Sequence, residues 1–308
     1  MPLLKIIEKY FWCFFIGAIL LGLASESIGI WFERYLRYFL MSILFFTSLK
    51  IDFRKILLYT AQPLLILYVV ILKLFVIPFV FYYLSLLLFP TYALGILILT
   101  SMPSAMYSGT MSDIAGGSIE RAFSGTFYTS LICPLTIPLI FNIFLGEAFQ
   151  LTMILSKVQF LILLLFIPFI LAGLTKRLFS ETAQRYSTYY TPLSILSSCL
   201  LVSGGISKNR NFVFEHLDSV IILIPYLIVL FAILLLIGYF SVFSLPKKDR
   251  IAVAINTAFM NNGLAIVFGL SYFIANFKSE AILPSILVEI PMAFMIAPLR
   301  FLVNKKKS

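Results

Sequence analysis

The chain is short of charge, of histidine and of cysteine, and each shortage removes a class of function. Charged residues make up 12% of its 308 positions, against ~25% in an ordinary soluble domain. The 13 carboxylates are scattered, so no paired-carboxylate acid/base site is apparent. His216 is the single histidine, which argues against a His-based triad and a His-ligated metal. Cys13, Cys133 and Cys199 lie in apolar runs, outside any CxxC or Cys/His cluster; they read as inert, without a disulfide framework or metal site. No GxxxxGK[ST] run is present, which argues against ATP-driven pumping within the chain. The expectation is a protein with no catalytic residues, no cofactor, no metal and no nucleic-acid partner.

What the chain has in excess is apolar surface. Apolar residues reach 61% and the mean hydropathy is +1.05. A soluble protein cannot hide that much, because surface grows too fast with size. A spanning helix needs ~20 apolar residues. Ten such windows recur, at 10–27, 31–49, 57–88, 92–115, 121–145, 153–174, 187–207, 218–244, 250–275 and 281–303. The start of the chain could pass for a signal peptide, but no small-x-small cleavage site follows, so it reads as the first span. Ten is even, so both termini share one side. With the termini in the cytosol, sixteen of the 23 basic residues fall inside and five outside, with Lys73 and Lys157 within membrane windows. That bias places both ends in the cytoplasm of a multi-pass cell-membrane protein, and makes the +10 net charge mostly a topology signal.

A short polar loop at 147–150 divides the ten spans five and five. Five is odd, so the second half enters from the opposite face. Residues 1–150 and 151–308 are therefore expected to be inverted repeats, the layout of a secondary transporter. In such carriers the site lies where a helix in each half is broken. The fourth span, TSMPSAMYSGTMSDIAGGS, is interrupted by Pro103, Ser104, Ser108, Gly109, Thr110 and Ser112. The ninth, INTAFMNNGLAIVFG, is interrupted by Asn256, Thr257, Asn261, Asn262 and Gly263. Each is the fourth span of its half. The bland alternative is two kinked helices with hydroxyls bonded back to their own carbonyls; the matching position argues for paired breaks. Pro103, Gly109 and Gly263 are the expected helix breakers.

Ionisable groups at membrane depth are functional candidates by default. Glu289 lies in the tenth span beside Pro291, and Lys73 in the third. An ammonium at helix centre costs ~2.5–3.5 kcal/mol on insertion scales. Lys73 must therefore find carbonyls or a carboxylate, snorkel, or give up its charge. Lys157 sits near a span end and is expected to snorkel. Asp113 lies ten residues beyond Pro103, where a solvated role and a transport role are both open.

At these residues the sequence resembles the bile acid:sodium symporter family. LMSILFFTSLKIDFRK, at 40–55, is similar to the family's "MFxMGLxLxxxDF". Pro103, Ser108, Gly117 and Pro134 fall at the spacing of its P-G-G-T-x-S-N segment and following helix. Asn261-Asn262-Gly263-Leu264-Ala265, followed by Leu270-Ser271-Tyr272-Phe273, resembles "QNSGLA…LSHF". The resemblance covers nearly the whole chain and is most specific in the second half. It implies an all-α fold of ten transmembrane helices, with a panel from spans one, two, six and seven. The core would come from the other six, spans four and nine crossing at their breaks. It also implies two sodium sites beside that crossover. Of their ligands, Ser108, Thr126 and Asn261 match. Gly109, Ala122, Asn256 and Met260 stand where the family has asparagine, serine, glutamate and glutamine. Lys73 falls on a third-span glutamine when Pro78 is aligned with the family's proline. Sodium wants hard oxygen ligands, so these losses predict a sodium-independent carrier in which Lys73 replaces one ion.

The leading expectation is thus a secondary transporter of a small organic solute, an organic anion, working by alternating access. Half-helix N-termini would face the anion, lined by Ser104, Ser108, Thr110, Thr126, Asn256, Asn261 and Asn262. Lys73, Glu289 and Asp113 are the candidate coupling groups, for a proton or for no ion, with sodium disfavoured. The alternatives are a sodium-coupled organic anion symporter, an auxin efflux carrier-like transporter suggested by IAGGSIERAFSGT, and a membrane sensor that binds without transport.

Overall fold

The computed structural model describes residues 4, 6–7, 10–50, 62–145, 151–272 and 279–294, and among them it is all-helical, with no strand. The loop at 147–150, the basic residues at both ends of the chain, Arg54 and Lys55, Phe273, and the side chain of Lys157 lie outside the described residues.

In chain order the helices are α1 Phe11–Ala24, α2 Glu26–Glu33, α3 Leu36–Lys50, α4 Pro63–Leu88, α5 Ala93–Thr100, α6 Ser108–Ile114, α7 Ile119–Leu145 and α8 Leu151–Leu178. They continue with α9 Ser180–Arg185, α10 Ser187–Lys208, α11 Arg210–Glu215, α12 Leu217–Phe240, α13 Lys247–Ala258, α14 Asn262–Tyr272, α15 Leu283–Leu287 and α16 Glu289–Phe294. Five of them, α4, α7, α8, α10 and α12, contain stretches long and apolar enough to cross a membrane. Their outer faces carry large apolar side chains bare of protein: Leu64 and Leu87 of α4 are 81% and 83% exposed. In water such a surface would aggregate; against lipid tails it carries no penalty. The chain is a multi-pass membrane protein.

The other expected spans are shorter for visible reasons. The fourth and ninth windows each form two helices, α5 with α6 and α13 with α14, separated by non-helical backbone. The first window ends early: Ser25 is extended and turns the chain into α2 before α3 begins. The long third window is one helix with a π turn at Leu72–Val76. Pro78 lacks an N–H and its ring opposes the carbonyl four residues back. The Ile77 N–H bonds instead to Leu72, five residues back, and the wide turn carries Lys73.

Two sets of helices pack among themselves. One is α1, α2, α3, α8 and α10; the other joins α4 to α5, α7 to α6 and α13, and α12 to α13. The half-helices pair crosswise, α5 with α14 and α6 with α13. Without a hydrophobic drive between helices in lipid, small residues set how closely they approach. Gly22 of α1 meets α10 so tightly that a Cβ there would stand 2.6 Å from the Ser203 carbonyl oxygen. A Cβ at Gly17, on the same helix, would meet nothing within 4 Å. Gly22→Ala should therefore lower the thermal midpoint of the detergent-solubilised protein, by the equivalent of ~1–3 kcal/mol. Gly17→Ala should leave it unchanged or raise it, because alanine is the better helix former.

Candidate functional site

The two breaks meet. The Ala105 N–H donates to the Phe259 carbonyl and the Asn261 N–H to the Pro103 carbonyl, both at 2.9 Å, forming an antiparallel bridge between Ser104 and Met260. Each unwound segment thus satisfies the other's backbone. Unwound backbone at membrane depth requires this, since no water is there to do it. Pro103 lies within the first gap. Gly109 and Gly263 lie just inside the second half-helices. Both are closely packed, Gly109 against the Phe123 ring and Gly263 against Leu40.

Side chains finish the junction. Ser104 Oγ donates to the Asn256 carbonyl at 2.7 Å, and Thr129 Oγ1 accepts from the Ser104 N–H at 3.2 Å. Thr126 Oγ1 lies 3.2 Å from the Ala105 carbonyl and 3.3 Å from Asn256 Oδ1. Ser104, Thr126 and Asn256 therefore join three helices across the breaks rather than bonding back to their own turns. Asn261 Oδ1 caps α14 by accepting the Leu264 N–H at 3.0 Å, the usual role of an asparagine N-cap. Asn262 Nδ2 donates to Met292 Sδ at 2.9 Å. Several polar atoms here are buried with no hydrogen-bond partner among the described residues: Ser108 Oγ, Asn261 Nδ2 and Asn262 Oδ1.

Lys73 is fully buried, and its Nζ donates to the Thr257 carbonyl at 3.2 Å. That carbonyl belongs to the last turn of α13, where the helix dipole is negative. Among the described residues no carboxylate pairs with it; Arg121 instead pairs with Asp249 at 3.3 Å, which ties the start of α7 to the start of α13.

Beside the junction lie two adjoining cavities, neither lined by Lys73. A small one of about 30 Å³ touches Asn261, Asn262 and Gly263. A larger one of about 410 Å³ reaches Lys50, an exposed residue, and includes Thr110. Both are walled by Ile43, Tyr107, Ser198 and Glu289. Of the expected site residues, Thr110, Asn261, Asn262 and Glu289 face these cavities; Ser104, Thr126 and Asn256 hold the junction; Ser108 lies buried in the first turn of α6. Asp113 is brought to none of them. It is exposed near the end of α6. Tyr107, Ser194 and Ser198 were missed. Ser194 and Ser198 sit four apart in α10, in line with Thr191, a polar stripe at helical spacing that lines the larger cavity, and that spacing was the available signal.

Two broken helices joined back to back in a bed of membrane-crossing helices, with a cavity at the joint, define a membrane carrier. A family model described as "Sodium Bile acid symporter family" matches residues 38–216. The chain belongs to that transporter family. It is also 24% identical over 261 residues to the "Uncharacterized sodium-dependent transporter YocS" of Bacillus subtilis (strain 168), covering 82% of this chain and 79% of that protein.

Thr126→Val removes the donor shared by the Ala105 carbonyl and Asn256 while keeping the volume. It should destabilise the protein by ~1–3 kcal/mol, the penalty for unsatisfied buried acceptors. Thr126→Ser should restore most of that in a thermal melt.

Proposed function

We propose that the chain is a secondary active transporter of a small organic solute bearing an anionic group, working by alternating access. In this reading the ten windows are ten spans in two inverted repeats, 1–150 and 151–308, with both termini in the cytoplasm. The matching position of the two breaks supports it, as does the packing of α1, α3, α8 and α10 chiefly against one another, with α14 alone of the half-helices reaching α3 and α10. The basic-residue bias supports the orientation, which makes the Lys50 end of the larger cavity its cytosolic mouth. The anionic group is drawn to the N-terminus of α14, where Asn261 and Asn262 line the small cavity and the Asn261 amide nitrogen has no partner among the described residues.

The observation that carries the coupling proposal is the Lys73 bond to Thr257. Half-helix C-termini and unwound carbonyls are where such carriers hold a coupling cation. Here a tethered ammonium occupies that position, next to Asn256, which stands where the family has a glutamate. Transport is then sodium-independent, coupled to a proton through Lys73 or Glu289, or to no ion. The competing reading is sodium coupling, favoured by the name of the Bacillus relative as a sodium-dependent transporter.

A melt in sodium chloride against potassium chloride at equal ionic strength separates them. A ligand at a hundred times its Kd stabilises by ~2.7 kcal/mol, so a sodium site would raise the midpoint. We expect no difference for the wild type, and a sodium-dependent rise for the double substitution Lys73→Gln with Asn256→Glu. A sodium-specific rise in the wild type would overturn the tethered-cation reading. It would leave the carrier reading standing, since that rests on solute flux into proteoliposomes.

A further inference from the structure

Among the described residues Glu289 is the one carboxylate in the walls of the two cavities, and Lys50, in the wall of the larger, is the one basic residue. Glu289 opens α16, half-buried, with the Asn262 side chain, Tyr107 and Ser198 around it. Among the described residues no lysine or arginine pairs with it. Lys50 is engaged elsewhere: its Nζ donates to Thr191 Oγ1 at 2.7 Å. A carboxylate at membrane depth without a basic partner is expensive, and the side chain that bonds to it is the amide of Asn262. The cavity beside it is lined by the aromatic residues Phe11, Phe15, Tyr107 and Phe259. Aromatic faces carry negative potential and attract cations. A purely anionic solute would meet this carboxylate with repulsion and those rings with no compensating attraction.

We infer that the solute carries a positively charged nitrogen that docks on Glu289 among these rings. This rests on the carrier reading above; with the anionic group drawn to α14, it makes the substrate class a zwitterion with a compact apolar body. At about 410 Å³ the cavity falls within the range of small-molecule sites. Ring faces and a carboxylate suit an ammonium on a short aromatic or branched frame.

Three probes share one body and differ in charge: phenethylammonium, phenylalanine and 3-phenylpropionate. Binding is read on the purified full chain in nanodiscs by calorimetry. The two nitrogen-bearing probes should bind, phenylalanine the tighter, and 3-phenylpropionate should be at least about tenfold weaker, the loss of one charge-assisted contact. Glu289→Gln should weaken both nitrogen-bearing probes by a similar factor and leave 3-phenylpropionate unchanged or tighter. Glu289→Asp, which keeps the charge, should retain part of the preference. The order of the three probes on the wild type tests the inference even where Glu289→Gln fails to fold. Preference for 3-phenylpropionate, equal binding of all three, or no binding by either nitrogen-bearing probe would overturn it, as would insensitivity to Glu289→Gln in a folded variant. Binding of the nitrogen-bearing probes without flux into vesicles supports the Glu289 assignment and instead sinks the carrier reading.

Discussion

Backbone that leaves a helix inside a membrane must find partners in protein, because hydrocarbon offers none. The whole centre of this molecule follows from that rule. Two chain segments, far apart in sequence, unwind at the same depth. Each supplies the hydrogen bonds the other lacks, through Ala105 with Phe259 and Asn261 with Pro103. Neither break could exist alone. Once joined, they bring four half-helix ends together, with two adjoining cavities beside the polar residues of that joint.

The joint carries two unlike ionisable groups. Lys73 holds a carbonyl of α13 in a fully buried setting. Glu289 lines cavities that extend to Lys50, and neither cavity is lined by Lys73. A cation at a carbonyl-rich helix end and a carboxylate in an aromatic cavity have opposite electrostatic preferences.

Much of this was legible in the chain. Apolar windows marked the spans, because a bilayer imposes length and composition. Clusters of Pro, Ser, Asn and Gly marked the breaks, because those residues interrupt helices in recognisable ways. Lys73 and Glu289 stood out as charges where charge is costly. What could not be read was the division of labour among the polar residues at the breaks. Ser104, Thr126 and Asn256 looked like lining residues, yet they bond across helices to one another and to backbone. Asp113 was indistinguishable by sequence from an intramembrane acid, and lies exposed near a helix end. Tyr107 and Ser198 escaped notice because a single tyrosine or a serine stripe gains meaning only from what faces it.

The sequence by itself therefore determined that the chain crosses the membrane many times and that two of its spans are interrupted. Hydropathy and helix-breaking chemistry are local properties and survive without a fold. Only the tertiary structure decided which carbonyl receives Lys73, which hydroxyls hold the junction, and which side chains share a cavity with Glu289. Those are contacts between residues some 150 or more positions apart, and no local pattern encodes which of many buried polar groups will be left without a partner.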